Sequence, residues 1–444
     1  MRDRVCVIGS GIAGLASAWL LSQRHDVTLI EKNGYFGGHT NTIDVDEDGS
    51  RIPVDTGFIV YNTRNYPLFV RFLARLSVPT RASDMSFAAS IGPGRVEYGG
   101  DGPHTIFAQR RNLVSPRFLR MLVDILRFGA VCRRCLRDSS FNGRSLGRFL
   151  ADARLGDGFR DHYLLPMAAA IWSCPPATML EFPAESLARF FDNHRLLNPL
   201  ERPAWRTVAD GSQSYVKRIA ADLGPARMVQ DGAVSVQRRE AGARVQLASG
   251  RSIDCDRVVL ACHADHALAL IEQPTELEAD LLARFRYQPN RTFLHTDARL
   301  MPARRVVWSA WNYLAADGAD GDKSVSVTYW MNRLQGLTSR RDYFVSLNPL
   351  TDPDPATVIR EMTYDHPVYD QAAMDAQPEL HRLQGADRLY FCGSYHGYGF
   401  HEDALRAAVD VADRLGADTG WLTGDAAEPA PDALPLPTPV GVPA

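Results

Sequence analysis

Residues 4–31 constrain the fold more than any other stretch. Val5-Cys6-Val7-Ile8 is a short apolar run suited to a buried parallel strand. It leads into Gly9-Ser10-Gly11-Ile12-Ala13-Gly14, a helical stretch over 15–22, and a second strand, Val27–Ile30, that ends at Glu31. Gly9 permits the tight strand-to-helix turn, Gly11 lets a pyrophosphate approach the backbone, and Gly14 lets helix and strand pack closely. The first-turn N–H groups, with Ile12 and Ala13 among the residues that carry them, then face the phosphates with the favourable end of the helix dipole. Glu31 stands where a carboxylate accepts the ribose hydroxyls of an adenosine, and it would repel the extra phosphate of NADP. A glycine triplet alone is a weak signal. Strand, loop, helix, strand and acid in that order predict a Rossmann-type dinucleotide site.

The next residues narrow the dinucleotide. Lys32-Asn33-Gly34-Tyr35-Phe36-Gly37-Gly38-His39-Thr40 follows the acid directly. Here the chain resembles the FAD-dependent amine oxidase, protoporphyrinogen oxidase and phytoene desaturase superfamily, in which a short spacer and a Gly-Gly pair precede a polar or basic residue. The resemblance implies FAD, with Lys32 on the same edge, Gly37 and Gly38 allowing a second backbone approach to its phosphates, and His39 donating to them where many members carry Arg. Asp55-Thr56-Gly57-Phe58 resembles the family's loop beside the flavin ring, which makes Asp55 and Gly57 candidate contacts. Ala209-Asp210-Gly211-Ser212 with Tyr215 resembles the return of the chain to the FAD domain. The strand at Val234 occupies the place where the family's backbone binds adenine.

A second anchor lies near the C-terminus. Arg388–Ser394 reads as a strand ending in glycine, and Gly397-Tyr398-Gly399-Phe400-His401-Glu402-Asp403-Ala404 leads into a helix. By resemblance Gly393, Ser394, Glu402, Asp403 and Ala404 contact the cofactor, and the helix N-terminus faces the pole of the flavin ring that becomes negative on reduction. Ser394 stands where many members have an acid for the ribityl chain. Two glycine-rich anchors almost four hundred residues apart must meet at one cofactor. The expected architecture is therefore an α/β FAD-binding domain made of 1–75, 205–270 and 385–416, with an inserted α+β substrate domain of 76–204 and 271–384. The Ala/Pro-rich stretch 417–444 is expected to be a disordered tail.

Composition excludes several classes. The 444 residues carry 49 basic and 52 acidic side chains, a formal charge of −3, so nothing global points to nucleic acid. No signal peptide is expected ahead of Val5, and no run approaches the length of a membrane span. Seven scattered cysteines read as reduced thiols in a cytoplasmic protein. His263 and His266 read as a strand end entering a helix, and no metal set is expected. Only three of the basic residues are lysines, Lys32, Lys217 and Lys323.

The substrate side is less marked. No second strand–GxGxxG–helix unit is present for NAD(P)H, which leaves oxygen, a quinone or an internal isomerisation to accept electrons. Tyr395 and Tyr398, with Phe400, sit on the flavin-proximal loop as candidate substrate contacts. Many family members hold a lysine near the flavin, and Lys323 is the candidate in the inserted stretches. Trp308, Trp311–Tyr313, Thr328–Arg333, 171–173 and 193–194 are aromatic and polar stretches that read as core or as an apolar tunnel. Gly37–Thr40, Asp55–Gly57, Asn193-His194, Trp205–Val208 and Trp330–Asn332 together resemble a bacterial subfamily similar to a domain of plant cyclopropane-fatty-acyl-phospholipid synthases. That resemblance implies an acyl-lipid substrate and a lipid methyltransferase or cyclopropane-synthase-like partner. Between Gln109 and Arg137 eight arginines and one acid, Asp124, interleave with apolar residues. A basic amphipathic helix of this kind suits either a core-packed helix with a solvated face or peripheral contact with the inner face of a membrane. Three functions stay open: an acyl-chain oxidoreductase, an amine or amino-acid oxidase, and a non-catalytic flavoprotein partner of a lipid-modifying enzyme.

Overall fold

The computed structural model describes residues 2–92, 94–172, 176–193, 196–198, 204–317 and 323–424. Five parallel strands form one sheet in the order Met228–Gln230, Asp26–Glu31, Arg4–Ile8, Arg257–Leu260, Leu389–Phe391. Strands from three distant stretches of the chain thus share one ladder. The helices Ile12–Leu21 and His401–Arg414 pack on each other against this sheet. Ile12–Leu21 is apolar nearly all round and almost wholly buried, as a helix between a sheet and a second helix must be. An antiparallel meander, Ala233–Arg239, Gly242–Leu247 and Ser252–Cys255, adjoins the sheet.

A second sheet has seven strands in the order Val358–Val368, Arg286–His295, Phe344–Leu347, Lys323–Trp330, Trp311–Asp317, Phe87–Ile91, Val96–Gly99. It is antiparallel except where Trp311–Asp317 runs parallel to Phe87–Ile91, the junction between two distant parts of the sequence. Helices between Pro103 and Asn193 pack beside it, the longest being Pro116–Arg137. That helix turns Phe118, Met121, Phe128, Cys132 and Cys135 inward. Cys132 and Cys135 thus serve core packing, and both thiols are free.

The C-terminal stretch departs from the expected disordered tail. Residues 417–424 are ordered: Trp421 meets Trp19 edge to face at 6.1 Å, Leu422 is buried, and the Leu422 carbonyl accepts a hydrogen bond from Arg71. Two large apolar side chains, Trp421 and Leu422, supply the anchor. The rest of that stretch, 425–444, lies outside the described residues. Among the described residues no helix is long and apolar enough to cross a membrane.

Candidate active site and cofactor cleft

A cavity of about 950 Å³ runs from the C-terminal edge of the parallel sheet to the inner face of the second sheet. Gly9, with φ of +99°, makes the turn out of the first strand, and a Cβ there would come within 2.6 Å of the Ala261 carbonyl oxygen. A Cβ on Gly14 would run into the Gly9 carbonyl, so this glycine sets the helix–strand approach and does not itself line the cavity. Gly11 has open space above it, and Gly11, Ile12 and Ala13 line the cavity with the unpaired end of their helix. Gly38 (φ +59°) packs against Gly11 and lines the wall, whereas Gly37 (φ +128°) turns the loop behind it.

Glu31 is buried at the end of its strand and lines the cavity. The Ser10 N–H (2.9 Å) and Ser10 hydroxyl (2.6 Å) donate to one carboxylate oxygen, and the Asn33 N–H (2.8 Å) donates to the other. The Ser10 hydroxyl also accepts from the Gly37 N–H at 3.1 Å, which ties the two glycine loops together. Ser10 had no signal of its own in the sequence beyond its place inside the motif. Lys32 lines the cavity from an exposed position. Val234 lines it too, and the ladder register shifts between Ala233 and Ser235, which leaves the Val234 backbone outside the regular pairing.

At the other anchor Gly393, Ser394, Tyr395, Tyr398 and Ala404 line the cavity. Glu402 and Asp403 do not, contrary to their assignment as cofactor contacts. The Glu402 carboxylate accepts from the N–H groups of Leu68 (2.9 Å) and Phe69 (3.0 Å) and so caps the Pro67–Arg75 helix. Asp403 accepts from the N–H groups of Tyr398 and Phe400 and holds the aromatic loop in shape. Burial pushes the Glu402 carboxyl up to about 7. Asp55 is likewise a structural hub. It accepts from the Thr42 hydroxyl, the Ser212 N–H and hydroxyl, and the Gln335 amide, behind the wall that Gly57 contributes. Burial pushes Asp55 up to about 7 against these donors.

The far half of the cavity is apolar. Met85, Phe87, Met167, Phe190, Trp311 and Tyr329 contribute to it from the second sheet and the helical lobe. Trp311 and Tyr329 are register partners on adjacent strands, with rings 5.1 Å apart. Their neighbours in sequence do other work: Asn312 bonds the Ser309 and Thr328 carbonyls, Trp308 packs on Trp330 and Phe344, and Arg333 pairs with Asp84 and Asp101. Phe400 stacks on Phe190 at 5.3 Å, and Tyr398 lies near the same ring. Lys323 opens its strand in register with Asp317, six residues along from Tyr329. Positions 173 and 194 lie outside the described residues.

Histidines at the nucleotide end form a cluster that their spacing in sequence did not reveal. His39 lies 5.0 Å from the Tyr364 ring and 5.5 Å from His366, and His263 stacks on Tyr287 at 4.1 Å. His401 stacks on Phe58 at 3.5 Å, and its Nε2 meets the hydroxyls of Thr40 (3.1 Å) and Tyr215 (3.0 Å). Burial lowers all four, His263 and His366 to about 3, so these imidazoles are neutral. His39 can donate a hydrogen bond to a phosphate. His263, Asp265 and His266 place possible ligand atoms within 4.8 Å of one another, a grouping the sequence reading did not expect.

The family profile of the flavin-containing amine oxidoreductases matches residues 12–416. The chain belongs to that family. No curated protein matches it in sequence. Among solved structures, a CLA-producing fatty acid isomerase from P. acnes superposes with a TM-score of 0.65 at 15% identity, covering 94% of this chain and 99% of that one. A redesigned putrescine oxidase gives 0.65 at 15% identity with coverage of 94% and 99%. The cyclohexylamine oxidase of Brevibacterium oxydans gives 0.63 at 15% with coverage of 94% and 100%. At such identities these likenesses establish the shared fold. This flavoprotein oxidoreductase uses FAD, and the cleft fits it: glycine-only approaches over Gly9 and Gly38, open space at Gly11 and a buried acid at Glu31. Three polar atoms of wall residues, His263 Nδ1, Trp311 Nε1 and Tyr395 Oη, are buried without a partner among the described residues.

Proposed function

We propose that this flavin-containing amine oxidoreductase family member removes hydrogen from a carbon of an uncharged, apolar acyl chain, in a desaturation, oxidation or isomerisation. One observation carries the reading. Among the described cavity-lining residues the carboxylates are Glu31 and Asp365. Glu31 is bound up with Ser10 and Asn33, and Asp365 acts on His39, so both belong to the nucleotide end. The apolar half offers no anion among the described residues. An alkylammonium placed there would lose its hydration with only aromatic faces to offset the cost, whereas an acyl chain gains about 0.8 kcal/mol for each methylene buried. That one fold neighbour is a fatty acid isomerase agrees with this reading.

Bound FAD supplies the two-electron acceptor for the hydrogen that leaves carbon. The chain's own residues orient the substrate and exclude water. Phe190 and Phe400 form a stacked wall, Trp311 and Tyr329 a second one, and between them they restrict an extended chain to a narrow path. Burial raises the Tyr395 hydroxyl far above its ordinary value and Tyr398 to a lesser extent. Both stay protonated at neutral pH; they can donate a hydrogen bond but cannot act as bases. The test is anaerobic bleaching of the flavin, or isomer formation followed by mass spectrometry, with unsaturated fatty acids and phospholipids beside a panel of polyamines and amino acids. Turnover of an acyl substrate is expected. Anaerobic bleaching with an amine, and neither bleaching nor isomer formation with any lipid, would overturn the proposal.

A further inference from the structure

The Pro116–Arg137 helix is apolar on two opposite faces. One face is the core-packed row of Phe118, Met121, Phe128 and Cys132. The other presents Leu119, Val123, Leu126 and Ala130, spaced i, i+4, i+7, i+11 and all exposed. Just before the helix, Leu113 and Val114 are exposed as well, Val114 by 80%. Five of the nine most exposed large apolar side chains among the described residues therefore sit within residues 113–126. Isolated exposed leucines need no explanation, but a contiguous row does.

Charge marks what the row faces. Arg120 and Arg127 are held by the buried Asp124 and spread along the flank of the row. Arg110, Arg134 and Arg137 have no ion-pair partner among the described residues. At the N-terminal end lies a separate pocket of about 290 Å³, lined on its polar side by Arg95, Asn112, Ser115, Arg117 and His162. Ser115 is the N-cap of the 22-residue helix, whose first-turn N–H groups favour an anion. The second, independent sign is Asn112. Its side chain is 4% exposed, lines this pocket, and its Nδ2 donor has no partner among the described residues.

We infer that this face docks on an anionic phospholipid bilayer, with the row from Leu113 to Leu126 among the acyl chains and one headgroup phosphate seated in the pocket at Asn112. Apolar side chains flanked by arginines and an anion seat beside them are the complement of a negatively charged lipid surface. The helix also packs on Ala184–Asn193, which carries Phe190 in the cavity wall, so docking would bring the lobe that shapes the apolar cavity next to the bilayer. The inference stands apart from the acyl-chain reading, because vesicle binding is measured without turnover.

The experiment is co-sedimentation of the FAD-loaded protein with vesicles of phosphatidylcholine alone or mixed with phosphatidylglycerol. Binding to the mixed vesicles is expected, weakening at high salt. Val114→Glu with Leu126→Glu should reduce it at least tenfold, and Asn112→Leu should remove most of the preference for phosphatidylglycerol. The visible flavin spectrum should be unchanged in each. No vesicle binding, or equal binding by the double variant, would overturn the inference. So would a wild-type dimer that the double variant dissociates, or stabilisation by inorganic phosphate without vesicle binding.

Discussion

Ser10 shows how much a single hydroxyl can organise. It donates to Glu31, and it accepts from the Gly37 N–H, so it joins the first glycine turn to the second. Ser10→Ala should lose these bonds, each worth roughly 1 kcal/mol, and raise the Kd for FAD about tenfold in a fluorescence titration. Ser10→Thr should retain most of the affinity, which separates the hydroxyl's role from a general packing effect. Glu31 itself was legible from its distance after the glycines. Its partners were not, because a motif specifies backbone shape and leaves open which neighbour supplies each donor.

At the scale of elements, the helix that follows Phe400 illustrates the gap between a motif and its use. Spacing places Glu402 and Asp403 in the first turn, near where a flavin lies, and resemblance assigns them to it. The structure turns the Glu402 carboxylate to the N–H groups of Leu68 and Phe69, more than 330 residues away in sequence. Glu402→Ala would strand two buried donors and should cost about 2–4 kcal/mol of stability, read as a lowered denaturation midpoint. Glu402→Gln keeps one acceptor oxygen and should lose about half as much. The final short helix makes a similar point. Truncation after residue 416 removes Trp421 and Leu422 from Trp19 and should lower the thermal midpoint, at about 1.5–3 kcal/mol for each buried side chain.

For the whole molecule, histidines in partly or fully buried positions set the response to pH. Burial lowers His39, His263, His295, His366, His396 and His401, taking His263 and His366 to about 3 and His295 and His396 to about 4. Unfolded, each takes up a proton near pH 6.5, so between that pH and about 4 the unfolded state binds more protons. Their contribution is complete above pH 6.5 and is lost as pH falls through the folded values. Asp55 and Glu402, both pushed up to about 7, act in the opposite direction: their contribution is present below about 4 and is lost as pH rises to 7. Asp403, which burial also raises, acts in the same sense as these two. Six groups against three predict that the thermal midpoint of the FAD-loaded protein falls from pH 7 to pH 4.5. A midpoint that rises on acidification would contradict the burial of this cluster.

The α/β class, the dinucleotide cleft and the family were readable in the chain because each depends on local pattern: glycines where a Cβ cannot fit, apolar runs of strand length, an acid at the end of the second strand. These are properties of a few consecutive residues and survive any change elsewhere. What the tertiary structure alone decided is how distant parts meet. It turned Glu402, Asp403 and Asp55 from candidate ligands into capping and loop-holding groups, gathered histidines from four separate stretches, and chose Trp311 and Tyr329 from their aromatic runs to face the cavity. It also divided the arginines of the 109–137 stretch between those tied to Asp124 and those left beside an exposed apolar row. Strand register and helix rotation fix which way a side chain points, and both are set by packing against residues hundreds of positions away.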